Sequence, residues 1–263
     1  MPIFRFETRR LIAFTFWWSA AMAVFIYLMI PIYIAMIAGA SVDMSAMANS
    51  GFFEMLGADI NVIAKPIGVY GFLTSFYSIL AGICGMFLGL KTFTKETVGQ
   101  TAEYTYTKPF KRGAIFLAKV TSALLSAAVI AACYFGGSVI GGSNDGVTAN
   151  FYIFTLIAIS FGLIELFFLL LGACIGAIHP KIRAPLLTSA AIVFMFYVLS
   201  AFASKVNSDI IKFFTPYSYF GASKIVNAGG YNAGYLGVYC AFCVVFAAAG
   251  YISFIKKDAA FIA

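Results

Sequence analysis

The sequence predicts an all-α integral membrane protein with six spanning helices. Its 263 residues are 62% hydrophobic and only 10% charged, and the mean hydropathy is +0.96. Soluble domains carry about a quarter of their residues as charged side chains, so the composition excludes that class. The apolar runs are long and do not alternate with a period of two, which excludes a transmembrane β-barrel.

Six apolar runs reach the roughly 20 residues that a membrane-spanning helix needs. They cover residues 11–38, 69–90, 114–140, 151–178, 185–203 and 235–254. The connections between them leave no room for a further domain, so we expect residues 1–263 to form one transmembrane domain. Residues 2–10 mix Phe with Arg, which predicts an N-terminal interfacial helix in the plane of the headgroups.

The basic residues predict the orientation of these runs. Thirteen of the 17 Lys and Arg residues precede run 1, lie between runs 2 and 3 (counting Lys119) or runs 4 and 5, or follow run 6. By the positive-inside rule these segments and both termini are cytoplasmic. The net charge of +7 is largely this bias and therefore gives no reason to expect nucleic acid as a partner.

The five cysteines all fall within apolar runs. Cys240 and Cys243 form a C-x-x-C pair, but in an apolar helix this spacing favours packing thiols over a metal or redox site. With a single His in the chain, we expect no metal site and no catalytic residue.

Small residues recur at four-residue steps in several runs, which is typical of tight helix packing. This packing can lie within one chain or between subunits. The positions are Tyr77, Ala81, Gly85 and Gly89 in run 2, and the pairs Gly137/Gly141 and Gly172/Gly176.

A polar island at residues 93–112 separates runs 2 and 3. Thr92 or Thr94 can N-cap a short helix that has Glu96 in its first turn, where an acid complements the helix dipole. Glu96 and Glu103 are seven residues apart and would share a face, and Pro109 would end the helix. The island thus predicts a helix of two to three turns on the cytoplasmic surface, held at both ends by spanning helices.

This island resembles the coupling-helix region of ABC-2-type permeases, the transmembrane subunits of one class of ABC exporters. The six-run layout and the aromatic segment at residues 215–220 match that family as well. Gln100 separates Gly99 from Thr101, which are adjacent in the usual pattern of the family. The residues that carry the resemblance are Glu96, Gly99, Thr101, Glu103, Lys108, Pro109, Arg112 and Lys119.

The resemblance implies a pair of permeases, identical or related, each with a cytoplasmic ABC ATPase subunit on its coupling helix. ATP and Mg would bind to that ATPase, and this chain would hold no cofactor. Export would run outward across a bacterial plasma membrane. Independently of the resemblance, a bundle lined mainly by Phe, Leu, Met and small residues suits hydrophobic or amphipathic cargo, such as a peptide, lipid or drug. The residues that would form or shape the docking helix are Glu96, Gly99, Thr101, Glu103 and Tyr104, with Pro109 and Arg112 at its exit.

Glu165 is the one ionisable residue that the sequence places deep inside a run. A carboxylate at mid-membrane costs about 2.5 kcal/mol or more, so we expect it to be protonated, paired or facing water. It is either a neutral acid bonded within the bundle, a contact for cargo, or a polar link between helices. The alternative function, a stand-alone secondary transporter or channel, would use Glu165 as its coupling group.

The segment before run 6 is aromatic, amphipathic and too short to span the membrane. It predicts a re-entrant or interfacial piece on the outer side, because non-helical backbone at that depth must be buried in protein or touch water. Its aromatic residues could close an exit gate or anchor the interface. The predicted residues of this outer gate or interface are Phe213, Phe214, Pro216, Tyr217, Tyr219 and Phe220.

Overall fold

The computed structural model describes residues 2–39, 65–99, 111–143, 146–206 and 209–256, and these are helices joined by short turns. In chain order the helices are α1 (Pro2–Gly39), α2 (Pro66–Val98), α3 (Arg112–Gly142), a one-turn 3-10 helix (Val147–Asn150), α4 (Phe151–Ile178), α5 (Pro185–Val206), α6 (Asp209–Lys212), α7 (Pro216–Tyr219), α8 (Ala222–Ala228) and α9 (Ala233–Lys256).

Six of the helices in the described ranges are long and apolar enough to cross a membrane, which confirms the predicted fold class. They are α1 to α5 and α9, and each contains one predicted run. Helix α4 has the predicted bounds, whereas the other five extend past the predicted run at one end or both.

The bundle has two distinguishable ends. The connector at residues 100–110, which lies outside the described residues, joins the end of α2 to the start of α3. We call the end of the bundle where α2 stops and α3 starts the connector end. The N-terminus of α1 and the C-terminus of α9 lie at this same end. Helices α6 to α8 lie at the opposite end, between α5 and α9.

Helix α1 is continuous from Pro2 to Gly39, so the predicted interfacial segment forms its first turns and is not a separate helix. Residues 3–30 contain neither Gly nor Pro, and nothing in this stretch favours a break. At about 1.5 Å per residue the helix is about 57 Å long, which exceeds the 40–45 Å of a whole bilayer. Its first turns therefore extend beyond the hydrocarbon layer.

Helices α2 and α4 form the central contact of the bundle, and their backbones touch at glycines. A Cβ atom added to Gly85 would lie 2.2 Å from the carbonyl oxygen of Glu165, and one added to Gly172 would lie 2.4 Å from that of Met86. Gly89 meets the carbonyl oxygen of Leu169 in the same way. The small-residue steps of run 2 therefore serve packing within the chain.

Helices α1 and α3 make a second close contact of the same kind. A Cβ atom on Gly137 would lie 2.5 Å from the carbonyl oxygen of Ala23, and one on Gly141 would lie 2.9 Å from that of Tyr27. Side chains at these positions would force the two helices apart. All the glycine pairs that the sequence singled out therefore pack within one chain.

Helices α6 to α8 include a stretch that enters the bundle, as predicted for a re-entrant piece. The hydroxyl of Tyr217 donates a hydrogen bond to the carbonyl oxygen of Ser78 at 3.4 Å. Ser78 is twelve residues into α2, which is about 18 Å along the helix axis. Ala222 packs against Gly71, where an added Cβ atom would lie 2.7 Å from that of Ala222.

We predict that Gly137→Ala destabilises the protein whereas Gly136→Ala does not. Gly137 faces the α1 backbone, while a Cβ atom on Gly136 would meet nothing within 4 Å. Overpacking of this kind costs about 1–3 kcal/mol, whereas Ala in place of Gly inside a helix gains about 0.5–1 kcal/mol. Thermal unfolding of the two variants in detergent measures the difference. Equal melting temperatures would contradict the proposed close contact.

Candidate functional site

The last two turns of α2, which directly precede the connector, contain several polar residues. The sequence predicted that Thr92 or Thr94 caps a new helix, and this prediction is wrong. Their hydroxyls donate instead to the carbonyls of Leu88 at 2.7 Å and Leu90 at 3.0 Å within α2. Helix α2 thus continues without a break to Val98, and Glu96 lies near its end. The continuation has a physical cause, since Thr92, Thr94 and Glu96 are all buried against other helices.

Lys119 of α3 is the centre of a buried ionic cluster. Its side chain is 1% exposed, and its ammonium group lies 2.9 Å from Oε1 of Glu96. It also donates to the carbonyl oxygen of Thr92 at 2.9 Å and lies over the ring of Phe93. Lys119 therefore connects α3 to the last turns of α2.

Glu7 and Lys95 complete the cluster from α1 and α2. The ammonium group of Lys95 donates to Oε2 of Glu7, and the other oxygen of Glu7 lies 4.0 Å from the ammonium group of Lys119. Two carboxylates and two ammonium groups thus balance one another. We call Glu7, Lys95, Glu96 and Lys119 the ionic cluster, and it joins α1, α2 and α3 at the connector end.

Oε2 of Glu96 has no hydrogen-bond partner among the described residues, although it is buried. Buried polar atoms are nearly always bonded, so this oxygen is available to a group from the adjacent connector. The connector carries the predicted site residues Thr101, Glu103, Tyr104 and Pro109, all of which lie outside the described residues. Gly99 is described and caps the C-terminus of α2.

Arg112 is the first residue of α3, at the other end of the connector. Its guanidinium group donates to the carbonyl oxygen of Ile255, near the end of α9, at 3.3 Å. Below it, the rings of Phe93, Phe116 and Phe254 lie within 5.7 Å of one another, centroid to centroid. Both ends of the connector are therefore held by packed helices.

Three members of the ionic cluster were not predicted as site residues. The sequence grouped Glu7 with an interfacial segment and counted Lys95 only as a cytoplasmic charge. Lys119 belonged to the family resemblance but was given no role of its own. Lys119 lies seven residues inside α3, next to the apolar Val120 and Ala118, and this position was the available signal. A charged lysine within a spanning run is costly unless it is paired or reaches water.

A family model described as "ABC-2 family transporter protein" matches residues 13–259. The chain belongs to the ABC-2 transporter family. A search of curated proteins gave no match. The chain is accordingly a multi-pass membrane subunit of an ABC transporter, which confirms the resemblance stated above.

Glu165 lies at the α2–α4 contact of this ABC-2 family member and is fully buried. The thiol of Cys84 faces it, but neither carboxylate oxygen has a hydrogen-bond partner of normal geometry among the described residues. A basic partner for Glu165 is likewise not found in the described ranges. The sequence left Glu165 protonated, paired or facing water. Within the described helices, the paired alternative is therefore not found.

The six aromatic-segment residues of this ABC-2 subunit divide into two groups. Phe213 and Phe214 are exposed, whereas Pro216, Tyr219 and Phe220 are buried. The ring of Tyr217 packs between those of Phe168 and Tyr197, at 5.6 Å from each. Exposed rings suit anchoring in lipid and buried rings suit a plug, so each predicted role has residues that fit it, and both roles remain predictions.

We predict that Lys119→Met strongly destabilises this ABC-2 subunit and that adding Glu96→Gln restores part of the loss. Removing one partner of a buried ion pair costs about 3–5 kcal/mol, because the other charge stays buried without compensation. The second change removes that charge. Melting temperatures of the single and double variants give the coupling between the two side chains.

Lys91→Met is the matched control for this experiment. Lys91 lies four residues before Lys95 on the same helix and contacts the rings of Phe14 and Phe87. We expect a loss of about 1 kcal/mol or less, since only cation–π contacts are removed. Equal destabilisation by Lys91→Met and Lys119→Met would contradict the special role of the cluster.

Proposed function

We propose that the chain is the permease subunit of an ATP-driven exporter whose motor is a separate ABC ATPase. The ATPase docks on the connector, and a second permease, identical or related, completes the transport path. ATP and Mg bind to the ATPase, so this chain acts mechanically and not as a catalyst. The bundle lies in a bacterial plasma membrane with both termini cytoplasmic, which places the connector on the side where ATP is available.

The ionic cluster is the observation that carries this proposal. A push on the connector is applied to the ends of α2 and α3, and the cluster ties these two ends to each other and to α1. Buried ion pairs resist separation, because each unpaired charge would remain in a medium of low dielectric constant. Three spanning helices therefore respond together to one contact at the surface.

The predicted site residues take different parts in this mechanism. Glu96 is buried in the cluster, so it shapes the docking surface by fixing the end of α2 and does not contact the ATPase. Gly99 ends that helix. Thr101, Glu103 and Tyr104 supply the contact surface, and Pro109 and Arg112 define its exit.

The cargo is hydrophobic or amphipathic and moves outward. An apolar groove of about 470 Å³ lies between α1 and α3, and its walls are mainly aliphatic and aromatic. This groove is evidence that the cargo has an apolar part. A smaller recess lined by hydroxyl groups lies at the opposite end of the bundle. Cargo with both apolar and polar parts suits a path that offers both kinds of wall.

We predict that Glu103→Lys separates ATP hydrolysis from transport. Reversing a charge at a docking contact lowers affinity by at least about tenfold, because like charges are brought together. The measurements are co-elution of the ATPase with the permease, ATP hydrolysis and cargo flux in vesicles. Asp59→Lys, on the predicted outer side, is the matched charge reversal and should leave all three unchanged.

Normal flux and normal co-elution of Glu103→Lys would contradict the docking role of the connector. The side of the membrane is tested separately with Thr101→Cys in a chain without its native cysteines. We expect a membrane-impermeant maleimide to label it only from the cytoplasmic side. Labelling from outside would exclude an ATPase as the partner of this connector.

We predict that Glu165→Gln retains ATP-driven transport. The amide has nearly the shape of the acid and does not ionise, so packing against Gly85 is preserved. Flux driven by ATP and flux driven by a proton gradient are compared in the same vesicles. Loss of flux at an unchanged melting temperature would favour the alternative function, a secondary transporter coupled through Glu165.

A further inference from the structure

A recess at the end of the bundle opposite the connector has walls of unusual chemistry. It has a volume of about 70 Å³ and lies between α2, α4, α5 and the re-entrant α7–α8 stretch. Water occupies about 30 Å³ in the liquid, so there is room for at least two molecules or a small polar group. Its wall hydroxyls include those of Thr74, Ser75, Ser78, Ser160, Tyr197 and Ser204.

A serine in a spanning helix is by itself unremarkable, because its hydroxyl can bond to the backbone of its own helix. Here the hydroxyls of three spanning helices converge on one recess. The re-entrant stretch adds Tyr217 and Ser218 from a fourth direction. Such convergence gives the recess a polar wall at a depth where the surrounding bundle is apolar.

The hydrogen atoms of the four serine hydroxyls in this set are already used. Ser75 and Ser78 donate to the carbonyls four residues earlier, at 3.1 and 2.7 Å. Ser160 donates to the carbonyl three residues earlier at 2.6 Å, and Ser204 to the one four residues earlier at 3.1 Å. A hydroxyl has one proton and two lone pairs, so these groups are left as acceptors. A ligand must therefore supply the donors.

The charges around the recess further limit the chemical classes of ligand that it can bind. Lys224 lies at its rim, where its ammonium group donates to the carbonyl oxygen of Ser218 at 3.0 Å and sits over the ring of Tyr235. This positive charge in the wall disfavours a cationic ligand. The acceptor-rich wall disfavours an anion. A neutral group with several hydrogen-bond donors fits best.

We propose that this recess binds a neutral group carrying several hydrogen-bond donors, such as the hydroxyls of a glycerol or sugar head group. The rings of Tyr197 and Tyr217 stand edge to face and offer an apolar surface for the carbon skeleton. The group belongs either to cargo or to a membrane lipid. Its identification as cargo rests on the proposed transport function, whereas the binding itself does not.

The test uses the full chain in phosphatidylcholine discs, since that head group has no hydrogen-bond donor. The probe is radiolabelled 1-O-octylglycerol, and its competitor is the di-O-methyl ether, which keeps the shape and lacks both donors. We expect saturable binding above empty discs, with competition by unlabelled octylglycerol and not by the ether. Equal competition by both compounds would overturn the proposal.

Two wall variants and one matched serine complete the test. Ser75→Ala and Tyr197→Phe each remove one wall oxygen, and we expect binding about five- to tenfold weaker. Ser189→Ala also removes a buried serine hydroxyl bonded to its own helix, at the start of α5 and outside both the recess and the α1–α3 groove, and should bind normally. Equal binding by all three variants would overturn the proposal.

Adding a glycosyl diacylglycerol to the discs separates the two sources of the ligand. Competition by this lipid identifies a lipid head group, and its absence identifies cargo; both outcomes support the site. The assay needs neither ATP nor a partner subunit. Binding by the Glu103→Lys variant should equal that of the unaltered chain, so failure of the coupling mechanism and failure of this site are distinguishable.

Discussion

Four charged side chains that must be compensated inside the protein organise the connector end of this bundle. Glu7, Glu96 and Lys119 are almost fully removed from solvent and Lys95 is largely buried, and each would be costly without the others. Their pairing fixes the register of α1, α2 and α3 at one level. The glycine contacts between α2 and α4 and between α1 and α3 then determine how closely the rest of the bundle can pack.

Helix α2 contributes to the ionic cluster, to the surroundings of Glu165 and to the hydroxyl-lined recess. Its last turns hold Lys95 and Glu96, its middle presents Gly85 to Glu165, and its first half contributes Ser75 and Ser78 to the hydroxyl-lined recess. Helix α2 is one unbroken α-helix from Pro66 to Val98. A displacement at the connector can therefore reach the recess through one continuous element.

The sequence predicted the features that depend on hydrophobic length and on small-residue spacing. The spanning helices and the glycine contacts are of this kind, because each is encoded within a single helix. The ionic cluster could not be predicted in the same way, since Glu7 and Lys119 are 112 positions apart and meet only through packing. The cap assigned to Thr92 or Thr94 failed for the same reason. Local propensity favoured a helix start, but burial of Thr92, Phe93, Thr94 and Glu96 and the ion pairs stabilise the continuation of α2.

The two ends of the bundle differ in chemistry, and this difference suits them to different functions. Charges that are paired in a low-dielectric site hold their geometry over a narrow range of distances, which suits a part that must receive force without deforming. Hydroxyls bonded to their own helices keep their bonds when helices tilt, so a wall built from them can change shape at little cost. If force enters at the connector, we expect α1 to α3 to tilt as a unit about the glycine contact of α2 with α4. The recess between α2, α4 and α5 would then change volume, because α2 moves while α4 stays.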